Sequence, residues 1–145
     1  MNMNKETAKN LLDVRIILAM LWIAGMLSSL NGDTYRLNDP AVLKASLANN
    51  GSIAVTPGLL SAMAILFAGH ILMGALTLML KSPLSRWANR IMGIFYAVVI
   101  LAFWVLGFAL RSNGYEVVWS TAQLVFALLV VWYAWKWPNP EGQPG

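Results

Sequence analysis

Thr56–Lys81 reads TPGLLSAMAILFAGHILMGALTLMLK, and from Pro57 to Leu80 its only ionisable side chain is His70. A hydrocarbon core about 30 Å thick needs about 20 apolar residues in a helix. The run exceeds that, and its apolar residues come in a block rather than on one stripe. Thr56 offers a hydroxyl N-cap, and Pro57 occupies a first-turn position where a missing N–H costs nothing. Lys81 and the Ser82-Pro83 pair form the stop signal. The segment is a transmembrane helix.

Three further blocks follow the same logic, giving expected spans at 14–30, 57–80, 91–110 and 117–137. The first is short, from Ile16 to Leu30, and is expected to start near Val14 with Asp13 as N-cap and Arg15 snorkelling to the interface. Lys5, Lys9 and Arg15 ahead of an apolar run also fit a cleaved signal peptide. The long polar lead-in and the three later spans favour a retained helix. Arg90 and Arg111 bracket the third block, and Pro138 and Pro140 end the fourth.

Of the 145 residues, 59% are hydrophobic and 11% charged, whereas a soluble domain carries about 25% charged residues to cover its core. The spans leave room only for loops and tails, so residues 1–145 read as a single transmembrane domain. The expected fold class is all-α, an integral membrane four-helix bundle. The net charge of +4 comes from scattered Lys and Arg, which is no nucleic-acid footprint. Without cysteine there is no disulfide, thiolate catalysis or Cys-ligated metal.

Lys5, Lys9, Arg15, Lys81, Arg86, Arg90 and Lys136 fall on one side of the spans, and Arg36, Lys44 and Arg111 on the other. The positive-inside rule then places both termini and the Leu80 to Arg90 loop in the cytoplasm. Trp132, Tyr133, Trp135 and Trp137 form an expected aromatic belt at the inner end of the fourth span, and Tyr115 and Trp119 mark its outer end.

The one long connection, residues 31–56, begins with a turn signal at Asn31-Gly32-Asp33. Asp39-Pro40 then reads as N-cap and first residue of a short helix over Ala41 to Asn49, stopped by Gly51. Asp33 and Arg36, three residues apart, are a candidate pair. Arg111, Asn113 and Glu116 belong to the same outer rim.

Within the spans His70 is the sharpest candidate, because a polar group at mid-membrane is costly and often functional. Proton relay, ligand contact and metal ligation compete there with simple hydrogen bonding to a neighbouring helix. Ser61, Ala64, Ala68 and Ala75 form a small-residue stripe suited to helix packing. His70 points elsewhere, with Phe67, Gly74 and Thr77 as companions. Gln123, with Ser120 and Thr121 nearby, is the next buried polar candidate. Trp104, deep in the third span, reads as bundle packing and a possible cavity neighbour.

Several short motifs carry a resemblance. They are Asp13-Val14-Arg15, Gly32-Asp33, Val55-Thr56-Pro57, Arg86-Trp87-Ala88-Asn89 with Gly93 and Tyr96, and the ending Leu129-Val130-Val131-Trp132-Tyr133-Ala134-Trp135-Lys136-Trp137-Pro138. Together they resemble a bacterial family of small four-helix integral membrane proteins known only as a domain of unknown function. A weaker similarity to DoxX-like membrane proteins rests on span number and size alone. The resemblance implies architecture and a bacterial inner-membrane location, and assigns no activity, cofactor or catalytic residue.

The leading functional expectation is therefore non-enzymatic: a bundle, alone or as a homo-oligomer, that binds or moves a small or lipophilic molecule through His70, Gln123 and Trp104. No cofactor and no nucleic-acid partner is implied. The alternative is an accessory subunit packing on a larger membrane partner. No nucleophile–base pair or acid–base carboxylate pair sits within the spans, which places a membrane enzyme third.

Overall fold

A computed structural model of the protein describes residues 5–48, 56–110 and 114–137, with side chains from Val14 onward. It is all-α: α1 Lys5–Asn38, α2 Pro40–Leu47, α3 Pro57–Met79, α4 Ser82–Ala109 and α5 Gly114–Lys136. Four segments are long and apolar enough to span a bilayer, Val14–Asn38, Pro57–Met79, Ser82–Ala109 and Gly114–Trp135. Helices pair their backbone polar groups within the segment, end turns apart, as a lipid solvent requires. Large apolar side chains accordingly face outward along the whole length, Ile65 (74% exposed) and Val118 (72%) among them.

Two expected boundaries are corrected. The first helix neither starts at Val14 nor ends at Leu30. It runs from Lys5, with Asp13 inside it rather than capping it, through Asn31-Gly32-Asp33 to Asn38. Thr34 and Asn38 return side-chain hydrogen bonds to Leu30 O (3.0 Å) and Thr34 O (2.8 Å), which keeps the extra turns helical. Gly32 is there for close approach, not for a turn: a Cβ at that position would run into the Trp119 indole of α5. The second correction concerns the Leu80 to Arg90 loop. It shrinks to a turn at Leu80-Lys81, because Pro83 stops α3 and at the same time opens α4.

Other local signals act as read. Asp39 Oδ1 accepts from the Ala41 and Val42 amides (2.9 and 3.4 Å) to start α2, and Thr56 Oγ1 accepts from Leu59 N at 3.2 Å to start α3. Gly51, Arg111, Asn113, Pro138 and Pro140 lie outside the described residues.

α1 packs between α3 and α5, and α4 lies against α5, whereas α3 and α4 touch only lightly. The core is built from Leu18 and Trp22 of α1, Met73 of α3, Tyr96 and Ile100 of α4 and Val130 of α5. No residue of α3 before His70 is buried, and none of α4 after Ile100. The α3–α4 seam is thus tight near the Leu80-Lys81 turn and loosens towards the opposite end.

Arginines tie the ends of the spans. Arg15 Nε donates to Thr77 O (3.0 Å) and its Nη2 to Leu78 O (3.1 Å) and Leu80 O, engaging the orphan carbonyls at the end of α3. Arg90 does the same for α5 through Ala134 O (3.0 Å) and Trp135 O (3.3 Å). At the other end Arg36 pairs with Glu116 of α5 at 3.2 Å and also acts on the nearby Asp33 carboxyl. Tyr115 OH donates to Asp39 Oδ2 at 3.0 Å. The α1–α2 elbow is therefore moored to α5. The Ser61, Ala64, Ala68 and Ala75 stripe, expected to pack, faces outward along its length.

Candidate functional site

The site forms where the α3–α4 seam begins to loosen. His70 is 3% exposed and shares the inward face of α3 with Met73, Gly74 and Thr77. Gly74 allows that face close to α1, since a Cβ there would lie 3.2 Å from Ile23 Cδ1 and 3.5 Å from Ala19 O. The imidazole meets Tyr96 of α4 edge-on at 4.0 Å between centroids and Trp22 of α1 at 5.4 Å. Trp22 and Tyr96 lie 5.2 Å apart. Three rings from three helices thus converge, in the edge-to-face geometry that aromatic quadrupoles favour.

Proton bookkeeping decides what this cluster offers. His70 Nδ1 lies 3.3 Å from Leu66 O, and Tyr96 OH donates to the same carbonyl at 2.5 Å. A carbonyl only accepts, so the neutral imidazole carries its proton on Nδ1 and presents a lone pair at Nε2. No described residue hydrogen-bonds that nitrogen. Beside it stands Gly25, where a Cβ would sit 3.8 Å from Nε2, so this edge of the ring is bordered by bare backbone.

Gln123 of α5 closes the far side. Its Nε2 donates to Ser29 Oγ. Ser29 spends its own proton on Gly25 O at 3.3 Å, so it must accept from the amide NH₂. With the amide so placed, no described residue donates to Oε1. His70, Gln123, Trp22, Tyr96, Gly25 and Phe126 border one cavity of about 10 Å³, the room a single water needs.

A second polar cluster holds Trp22 in place. Its indole N–H donates to Asn89 Oδ1 at 2.7 Å. Asn89 Nδ2 donates to Ser85 O (2.8 Å) and Thr77 Oγ1 (3.0 Å), and Thr77 gives its one proton to Met73 O (2.6 Å). Ser85 Oγ donates to Thr77 O at 3.0 Å. Asn89, Thr77 and Ser85 are fully buried, and these side-chain donors all find acceptors. The set joins α1, α3 and α4 below the cavity.

Of the residues singled out from sequence, His70 and Gln123 come together and Trp104 does not join them. Trp104 Nε1 donates to Thr121 Oγ1 at 2.9 Å, and its ring lies 4.5 Å from Phe108. Sequence reading missed Trp22, Tyr96 and Asn89 as site residues. Asn89, Gly93 and Tyr96 recur at helical spacing, which would have put the last two motif residues on the Asn89 face of α4. Among the described residues no group of three or more His, Asp or Glu could hold a metal ion.

What the fold and site define is a multi-pass α-helical membrane protein, a four-helix bundle with a small, mostly apolar cavity beside His70. The chain belongs to a family of unknown function (DUF6326), whose profile matches residues 9–142. No curated protein and no solved structure matches it.

Proposed function

We propose that the chain binds a small lipophilic hydrogen-bond donor, an alcohol or phenol, with its hydroxyl in the His70 cavity and its tail along the loose half of the α3–α4 seam. One observation carries this reading. Among the described residues that border the cavity, His70 Nε2 and Gln123 Oε1 are acceptors that receive no hydrogen bond. Two acceptors beside one cavity favour a ligand that brings a proton to them. A hydroxyl matches a water in size, and a cavity of about 10 Å³ admits little else as a head group. Phe126 and Ile100 supply apolar wall beside it. The basic residues near the α3–α4 turn, at the start of α1 and at the end of α5 favour the orientation with both termini in the cytoplasm.

His70 is the only histidine, so ¹⁵N-histidine labelling reports on one imidazole. Titration of the protein in lipid nanodiscs with 4-hexylphenol is expected to move the Nε2 resonance as the phenol donates to it. The methyl ether of the same phenol is expected to leave it in place, because a site with acceptors rejects an analogue that lacks the proton. Equal response to both compounds, or to neither, would overturn the reading. A second reading, an accessory subunit, draws on the outward-facing Ser61–Ala64–Ala68–Ala75 stripe. A stable hetero-complex in mild detergent would favour it, and a homogeneous monomer would oppose it.

A further inference from the structure

We infer that the end of the bundle around the Leu80-Lys81 turn carries a binding site for the headgroup of an anionic phospholipid, centred on Arg90 and independent of the His70 cavity. The Arg90 guanidinium lies 5.1 Å from the Trp135 ring and 5.6 Å from Trp87. Both rings are lipid-facing, at 58% and 56% exposure. Nε and one Nη2 proton are used on Ala134 O and Trp135 O. A guanidinium has five donors, so the remaining N–H groups are held by a rigid frame at the membrane surface with charge to spare.

The surroundings reinforce that charge. Arg86 lies one helical turn before Arg90, close enough to repel it. Lys81 precedes α4 and gives no side-chain cap to it. Lys136 sits 4.0 Å above Trp132, another outward ring at 56% exposure. Every acidic side chain that the structure describes, Asp33, Asp39 and Glu116, lies at the opposite end of the bundle. The result is a cluster of basic side chains flanked by indoles, whose amphipathic rings belong at headgroup level. A phosphodiester accepts from a guanidinium in a forked geometry that an ammonium cannot reproduce. A lipid, unlike a soluble anion, also meets the tryptophan faces with its glycerol and acyl carbons.

The test uses the full chain in nanodiscs of phosphatidylcholine with a minor fraction of phosphatidylglycerol, released into mild detergent and weighed by native mass spectrometry. Wild type is expected to retain phosphatidylglycerol well above its share of the bilayer. Each lost charge near a membrane surface is worth about a fivefold change in anionic-lipid binding. Lys81→Gln and Lys136→Gln are each expected to lower retention by about that factor. Arg90→Lys keeps the charge but loses the fork, and is expected to lower it as well. Lys44→Gln, at the opposite end, is the control and is expected to change nothing. Retention that merely follows bilayer composition would overturn the inference, as would equal loss in Lys44→Gln. So would displacement of the lipid by millimolar glycerol phosphate, which would mark a soluble-anion site instead.

Discussion

Asn89 offers the sharpest quantitative prediction, because its side chain joins α1, α3 and α4 while fully buried. Asn89→Leu keeps the volume nearly constant and removes the bond to Thr77 Oγ1 at 3.0 Å and the acceptor for Trp22 Nε1 at 2.7 Å. An interhelical hydrogen bond within a membrane contributes about 0.6 kcal/mol and up to about 1.7 kcal/mol. Stranding the buried indole N–H costs a further 1–3 kcal/mol or so. The expected loss is thus about 2–5 kcal/mol in reversible unfolding, measured by steric trapping in bicelles. Trp22→Phe removes the donor itself, so in that background the stranding cost disappears. The double-mutant cycle is expected to show a coupling of at least about 1 kcal/mol. A coupling below about 0.5 kcal/mol, the ordinary scatter of independent sites, would refute the claim that these two side chains depend on one another.

Further outcomes follow from the same contacts. Gly32→Ala places a methyl against the Trp119 ring, and overpacking of this kind costs about 1–3 kcal/mol; lower thermal stability with looser α1–α5 crosslinking by engineered cysteines checks it. Arg15→Met removes the donors to Leu78 O and Leu80 O at the end of α3, and is expected to cost more stability than Arg36→Met, which breaks one partly exposed ion pair. Tyr115 OH, then the Ala41 and Val42 amides, hold the Asp39 carboxyl below its ordinary value of 3.8. A depressed carboxylate stabilises the fold above its unfolded value and loses that contribution as the pH falls through the folded one. The mooring of α2 is therefore expected to persist at neutral pH and loosen only below about pH 3.8, seen as faster intrinsic-corrected exchange of the Ala41 and Val42 amides. Tyr115→Phe is expected to move that loosening to higher pH.

The fold was legible where the signal is local. Thr56-Pro57 and Asp39-Pro40 start helices because a hydroxyl or carboxylate can reach the next free amides, whatever the rest of the chain does. Asn31-Gly32-Asp33 misled because its meaning is tertiary. The glycine makes room for Trp119, a residue far along the chain, and nothing local distinguishes that use from a turn. Pro83 likewise ends one helix and opens the next, so a stop signal concealed a start. At the site, the rarity of charge within the spans singled out His70, and Gln123 followed by the same reasoning. Trp22 carried no signal and Tyr96 figured only as a motif residue, since their roles depend on which helices are neighbours. The small-residue stripe on α3 faced the wrong way for the same reason.

The central claim is that the pocket beside His70 receives a donor from a lipophilic ligand. The most direct measurement is an experimental structure of the protein in lipid with 4-hexylphenol. The account predicts density for the phenol oxygen within hydrogen-bonding distance of His70 Nε2, with Gln123 beside it and the alkyl tail leaving between α3 and α4. Finding Nε2 bonded to a protein side chain, the cavity filled by repacked residues and the phenol elsewhere would contradict it.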